Sequence, residues 1–209
     1  MSPLRALRHC LRAARRVLDP ATQRSHARAL ARVLGRHPVF LRAHRIGVYR
    51  SSDGEIDPFP LLRLAHARHK LGFLPVLRPH SRGKLWFLPY RPGDPLIDNR
   101  FGIPEPRARN PRTRLPVALD LLVVPLVGFD ASCNRLGMGG GYYDRTLAYL
   151  RRRRYWHRPR LIGVAHECQR VAALTPNPWD IPLDLVATEE RIYRRREKAP
   201  AIRGGLRGC

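Results

Sequence analysis

The run Leu121-Leu-Val-Val-Pro-Leu-Val127 is the most apolar stretch of the chain, and it constrains the fold more than any other segment. It is rich in branched side chains, shows no alternation of polar with apolar residues, and lies between Asp120 and Gly128. That pattern predicts a strand over Asp120–Val127 buried on both faces. A strand covered on both faces belongs in a largely parallel sheet with helices packed against it. The apolar region is too short to cross a membrane, because Asp120 interrupts Leu115–Phe129.

The flanking sequence supplies such helices. Leu4, Leu7, Leu11, Ala14 and Leu18 recur at three- and four-residue steps and predict an amphipathic helix over Pro3–Leu18. Asp19-Pro20 restarts the pattern, with Asp as N-cap and Pro in the first turn, and predicts a second helix to Leu34 that Gly35 stops. Asp57-Pro58 opens a third, carried by Leu61, Leu62 and Ala65 and ending near Gly72. Short strands are predicted at Ile46–Tyr49, Phe73–Leu77, Lys84–Tyr90, Leu161–Ala165 and Leu185–Thr188. A helix is predicted over Tyr142–Arg154. The proline-rich span Arg91–Pro116 reads as a long irregular connection.

Strands alternating with helices imply an α/β fold: a single-domain three-layer sandwich with a largely parallel central sheet flanked by helices, over residues 1–198. Residues 199–209 read as a disordered basic tail.

The formal charge of +24 would favour polyanionic partners. Among 40 basic residues, however, only Lys70, Lys84 and Lys198 are lysines, and the arginines are scattered along the whole chain. That is a compositional bias rather than a nucleic-acid face, and no stacking strand of the RNA-binding kind is present. The four cysteines, Cys10, Cys133, Cys168 and Cys209, show no metal-ligand spacing, which predicts reduced thiols in a cytoplasmic protein. The Arg-rich, acid-poor start also fits a mitochondrial transit peptide. No partner other than small molecules is expected, and the chain reads as a monomer.

After the central strand comes Arg135-Leu-Gly-Met-Gly-Gly-Gly-Tyr-Tyr-Asp144, leading into a helix. Glycines let backbone approach a ligand, exposed amides donate, and a helix N-terminus adds positive potential, so this geometry can cradle phosphate. It is neither a P-loop, which needs Lys-Ser/Thr after the glycines, nor a dinucleotide loop, since Tyr142 stands where a glycine is required. A tight strand-to-helix turn with no ligand would look the same.

The longer segment from Val124 to Arg145, Val-Pro-Leu-Val-Gly-Phe-Asp-Ala-Ser-Cys-Asn-Arg-Leu-Gly-Met-Gly-Gly-Gly-Tyr-Tyr-Asp-Arg, closely resembles the signature of the 5-formyltetrahydrofolate cyclo-ligase family. Asp53-Gly-Glu-Ile-Asp57, Phe73-Leu-Pro-Val76, Ile103-Pro-Glu-Pro106, Gly163-Val-Ala-His-Glu-Cys-Gln169 and Trp179-Asp-Ile-Pro-Leu-Asp184 resemble further family blocks in the family order.

The resemblance implies an ATP- and Mg2+-dependent enzyme that closes 5-formyltetrahydrofolate to 5,10-methenyltetrahydrofolate, phosphorylating the formyl oxygen and releasing ADP and phosphate. Polyglutamylated folates are included among the substrates it suggests. It implies catalytic roles for Arg135, Tyr143, Asp144 and Arg145. ATP would be held by Leu4, Arg5, Ala6, Leu7 and Arg8 near the N-terminus and by the loop Arg135, Leu136, Gly137, Met138, Gly139, Gly140, Gly141, Tyr142 and Tyr143. Leu4 stands where the family carries a lysine, and Met138 and Gly140 where some members carry a basic residue.

Glu55 and Phe101 would meet the folate together with Met138, Gly139, Gly140, Gly141 and Tyr142, Phe101 by stacking. Asp144 and Asp180 would be the Mg2+ ligands. Without the resemblance, Asp144 reads as a favourable charge at a helix start, Asp180 as a turn cap, Glu55 as solvated and Phe101 as a core ring. Arg151-Arg-Arg-Arg154 reads as a solvated helix end, with attraction of a folate polyglutamate tail or of RNA as the alternative.

Overall fold

The computed structural model describes residues 2–78, 83–107, 116–152 and 158–195. Of the run read over Asp120–Val127, Leu121–Pro125 forms β6, the centre of a seven-stranded sheet that also holds β1 (Arg45–Gly47), β2 (Leu71–Leu77), β3 (Leu85–Pro89), β9 (Arg160–Val164), β10 (Leu185–Ala187) and β11 (Ile192–Arg194), while β4 (Leu96–Asp98) pairs with β5 (Pro104–Pro106) and β7 (Gly128–Phe129) with β8 (Arg135–Leu136) in two separate two-stranded sheets. The order across the sheet is β11-β10-β9-β6-β1-β2-β3. The five inner strands are parallel, and β3 and β11 close the two edges antiparallel to their neighbours.

Side chains along β6 alternate between two cores. Leu121 and Val123 face one, Leu122 and Val124 the other, and all four are buried. The first core is roofed by α2 (Pro20–Gly35), the short α3 (Pro38–Arg42) and α4 (Phe59–Ala67), through Leu30, Leu34, Phe40, Leu61 and Leu62. The second is roofed by α5 (Tyr142–Thr146) and the 3-10 turn that follows, through Leu147 and Leu150, together with Ile181 and Leu183 from irregular chain. The sandwich therefore has a heavy helical face and a light one. α1 (Pro3–Arg16) lies at the carboxyl end of the parallel strands, against residues 167–169.

Several expectations are corrected. The helix read over Tyr142–Arg154 ends at Thr146 and continues as a 3-10 turn, Ala148–Arg152. Leu147 and Leu150 are both buried and three residues apart, a spacing that a three-residue turn places on one side. Gly35 is the last helical residue of α2, not a left-handed stop. Its lack of a side chain admits α4, since a Cβ there would lie 2.4 Å from Leu64 Cδ2. α4 ends at Ala67, and Gly72 already belongs to β2. The span read as irregular holds the hairpin-like pair β4–β5, with Ile97 opposite Glu105. The tail read over 199–209, together with Arg153 and Arg154, lies outside the described residues.

Candidate functional site

The chain reverses direction across the sheet between β1 and β6. From β1 it crosses through α4 to β2 on one side, whereas from β6 it crosses through α5 to β9 on the other. At such a switch point the loops leaving two neighbouring parallel strands diverge and leave a crevice at their carboxyl ends. Here a cleft of about 990 Å³ opens at that place. Its walls are the loop after β1, from Tyr49 to Glu55, the glycine loop after β6, and the β4–β5 region.

Of the residues singled out in the sequence, Leu4, Arg8, Glu55, Phe101, Arg135, Leu136, Gly137, Met138, Gly139, Gly140, Gly141, Tyr142, Tyr143, Asp144, Arg145 and Asp180 all line this cleft. Arg5, Ala6 and Leu7 do not. Leu7 instead packs on Leu11, Val127 and Leu136, anchoring α1 beneath the glycine loop. Arg8 Nε donates to the Gly137 carbonyl at 2.8 Å, fastening the same helix to the loop itself.

The glycine loop requires its glycines. Gly139 and Gly141 have φ of +93° and +62°, in the left-handed region that side chains avoid. A Cβ on Gly141 would also lie 2.8 Å from Arg145 Nη1. Arg145 reaches back to donate to the Gly140 carbonyl and to Gly83 O, and lies over the Tyr142 ring. Arg135 pairs with Asp144 and donates to the Ile181 carbonyl. Asp144 Oδ1 also accepts from Ile181 N at 3.1 Å, and Oδ2 takes no hydrogen bond among the described residues. Asp180 accepts from Asn177 N at 2.8 Å through Oδ2, so the turn-cap reading holds and Oδ1 is left over. The cleft therefore presents two carboxylates, each with a spare oxygen, a hard donor set of the kind magnesium takes with substrate phosphates.

The opposite wall is organised by a residue the sequence reading did not single out. Arg15 is fully buried. Its guanidinium donates to Asp53 O at 2.8 Å, Asp53 Oδ2 at 2.9 Å and Leu126 O at 3.2 Å, tying the β1 loop to the β6 loop. Arg12 and Arg16 also pair with Asp53. Although burial opposes it, these three arginines hold the Asp53 carboxyl down at about 2. Glu55 behaves in the opposite way. Burial pushes it up to about 7 even though Arg15 Nη2 lies 3.7 Å from Oε1. Burial and the Glu55 charge also raise the Tyr143 phenol well above its ordinary range, which keeps it a donor.

Half of the large apolar side chains exposed among the described residues, Leu4, Phe101, Met138 and Trp179, line this one cleft. Phe101 is not a core ring, being 55% exposed and set edge-on to Tyr142 with centroids 6.0 Å apart. Arg100 donates to the Tyr142 hydroxyl at 2.9 Å. Trp179, Arg50 and Arg151 also line the cleft and were missed as site residues. Trp179 and Arg151 meet through an Arg151-to-carbonyl bond of 3.1 Å. Arg151 is exposed in the last turn of the 3-10 helix, as read from sequence, and also lines the cleft. Cys133, beside the glycine loop, is buried and its thiol is pushed up to about 11, so it is not poised as a nucleophile.

Comparison with known proteins decides the lineage of this cleft. The model of the 5-formyltetrahydrofolate cyclo-ligase family matches residues 2–189. The chain belongs to the 5-formyltetrahydrofolate cyclo-ligase family. It is 40% identical over 184 residues to the 5-formyltetrahydrofolate cyclo-ligase of Escherichia coli strain K12, covering 88% of this chain and 98% of that one. It is 43% identical over 143 residues to the Haemophilus influenzae protein of the same name, covering 68% of this chain and 74% of that one. Among solved structures, the 5,10-methenyltetrahydrofolate synthetase of Aquifex aeolicus superposes with a TM-score of 0.78 at 27% identity, covering 99% of this chain and all of the other. The Mycoplasma pneumoniae synthetase gives 0.68 at 24% identity, which speaks to the fold alone. The family match spans α1, so the helix that carries Arg8 and Arg15 lies within the shared fold.

Proposed function

We propose that the protein converts 5-formyltetrahydrofolate to 5,10-methenyltetrahydrofolate, consuming ATP and releasing ADP and phosphate. The observation that carries this reading is the convergence in one cleft of a glycine loop with two arginines, two carboxylates and, on the facing wall, the largely buried carboxyl of Glu55, which burial pushes up to about 7.

In the proposed reaction the formyl oxygen attacks the γ-phosphorus and ADP leaves. N10 then bonds to the activated carbon, gives up its proton, and phosphate departs with the electron pair of the C–O bond. Phosphoryl transfer asks mainly for positioning and charge neutralisation. Gly137 to Gly141 offer close backbone approach, and Arg135 and Arg145 supply positive charge. Magnesium arriving with the nucleotide would be held by Asp144 and Asp180 and would offset phosphate charge. Glu55 is matched to a proton that must move near neutrality, and it can take the one N10 gives up. Phe101, Met138 and Trp179 offer apolar faces to a flat heterocycle.

No helix of the described residues is long and apolar enough to cross a membrane, and Cys10, Cys133 and Cys168 are free thiols, which supports a cytoplasmic setting.

The test mixes purified protein with 5-formyltetrahydrofolate, ATP and magnesium and follows the near-ultraviolet absorbance of the methenyl product. Product that fails to form when ATP or magnesium is omitted supports the reading. A folded protein that gives no product in the full mixture refutes it. Asp144→Asn, which keeps the acceptor for Ile181 N, is expected to lower turnover by about two orders of magnitude, in line with the loss of a charged active-site group.

A further inference from the structure

A second cluster of ligating side chains lies at the carboxyl ends of β9 and β10, and none of its members lines the cleft. His166 follows β9, Glu189 follows β10, and His26 projects from α2. His26 Nδ1 is 2.9 Å from His166 Nδ1 and 3.3 Å from Glu189 Oε1, and the three ligand atoms all lie within 4.8 Å of one another. We propose that His26, His166 and Glu189 form a binding site for a zinc-class divalent metal ion, separate from the cleft.

Hydrogen bonding alone satisfies this cluster poorly. If His166 donates from Nδ1, the His26 Nδ1 lone pair faces both that donor and the Glu189 carboxylate, and nothing lies between His26 Nδ1 and Oε1 to hold them together. If His26 donates, one N–H must serve two acceptors. In either tautomer the second nitrogen of His166, Nε2, is buried without a hydrogen-bond partner. A cation between three converging lone pairs removes the conflict.

Ligand atoms around a tetrahedral zinc lie roughly 3.4 Å apart, given Zn–N bonds of about 2.0 Å. The two short separations already approach that spacing. Two imidazoles and one carboxylate, with a fourth position left for water, are a set that suits first-row transition metals and not magnesium.

The surroundings are those of a metal-binding imidazole. His166 is fully buried, which fixes its ring beside His26 and Glu189. Glu189 is oriented by the Glu167 amide, which reaches its two oxygens at 3.2 and 3.1 Å. Gln169 fixes the His166 backbone at 3.0 Å through Oε1 and bonds the carbonyls of Leu126 and Val127 through Nε2. His166 and Glu189 are thus held in place by the surrounding fold.

The experiment titrates zinc chloride into the purified full chain by calorimetry, with cobalt(II) as a spectroscopic probe whose visible absorption reports coordination geometry. The expected result is one equivalent bound, a tetrahedral cobalt spectrum, and affinity reduced by on the order of 100-fold or more in His26→Ala. His26 is a partly exposed helix residue, so that variant keeps its fold, whereas substituting buried His166 risks unfolding. Glu189→Gln is expected to weaken binding as well, and Asp144→Asn to leave it unchanged. Absence of binding, or binding that survives His26→Ala, would overturn the assignment and leave a hydrogen-bonded pair of histidines.

Discussion

Glu55 gives the sharpest quantitative test, because its position sets stability against function. A glutamate in an unfolded chain titrates near 4.5, and burial raises Glu55 to about 7. Between those values the folded protein holds a proton that the unfolded chain has lost, so stability falls as pH rises. The contribution is fully present below 4.5 and gone above 7. Two and a half pH units at about 1.4 kcal/mol each amount to about 3 to 4 kcal/mol.

The raw pH profile of the protein will not show this cleanly. His166, lowered from 6.5 to about 4, contributes in the opposite sense, adding stability as pH rises over an overlapping range. Asp53, held at about 2, titrates below the window. The observable is therefore the difference between the protein and its Glu55→Gln variant, in which the His166 term cancels. Urea denaturation at pH 5 and pH 8 should show the variant gaining on the parent by about 2 to 3 kcal/mol over that interval, while its cyclisation rate drops. A stability difference that stays constant from pH 5 to pH 8 would refute a raised Glu55, and with it the role of Glu55 as a proton acceptor near neutrality.

Three further outcomes follow from the geometry. Arg15→Met keeps bulk but removes the fully buried cation beside Asp53 and Glu55, leaving Asp53 to Arg12 and Arg16, and should cost about 3 kcal/mol in urea denaturation. Gly141→Ala must adopt a φ of +62° and displace Arg145, so stability should fall by roughly 1 to 3 kcal/mol and nucleotide affinity, read by calorimetry, should fall with it. Phe101→Ala removes an exposed ring, so stability should change by less than about 0.5 kcal/mol, whereas the KM for folate should rise roughly fivefold, the worth of about 1 kcal/mol of stacking.

The sequence was most informative where a local rule and a tertiary demand coincide. Asp19-Pro20 marks the start of α2 because the Asp19 carboxylate accepts from Ala21 N and Thr22 N with no help from the rest of the fold. The β6 run could belong only to a strand covered on both faces. Where tertiary packing decides, the reading failed. Gly35 looks like a stop from sequence, yet its role is set by Leu64 of another helix.

The helix after the glycine loop has helical composition to Arg154. Leu147 and Leu150, however, are taken down into the core three residues apart, and the helix tightens into a 3-10 turn. Arg15 was invisible for a different reason. In α1 it is one arginine among several, and only the closeness of Asp53, 38 residues away, separates it from its neighbours. The family blocks fared better because they name positions directly, and the cleft gathers most of them.

The positive charge of the chain gives little guide to the site, because the cations nearest the cleft are already engaged. Arg12, Arg15 and Arg16 converge on Asp53, Arg8 and Arg145 hold loop carbonyls, and Arg135 holds Asp144. Under the proposed function this arrangement can exchange partners without leaving a charge bare. An incoming phosphate would draw Arg135, and the cation that accompanies it would take up Asp144, so one ion pair would be replaced by two. Such an exchange avoids most of the penalty of an unpaired charge in a part-buried site. On the same reading it accounts for a carboxylate at the start of α5, beside a loop proposed to hold an anion: alone it would repel phosphate, and paired with Arg135 it keeps that arginine poised in the cleft until the substrate replaces it.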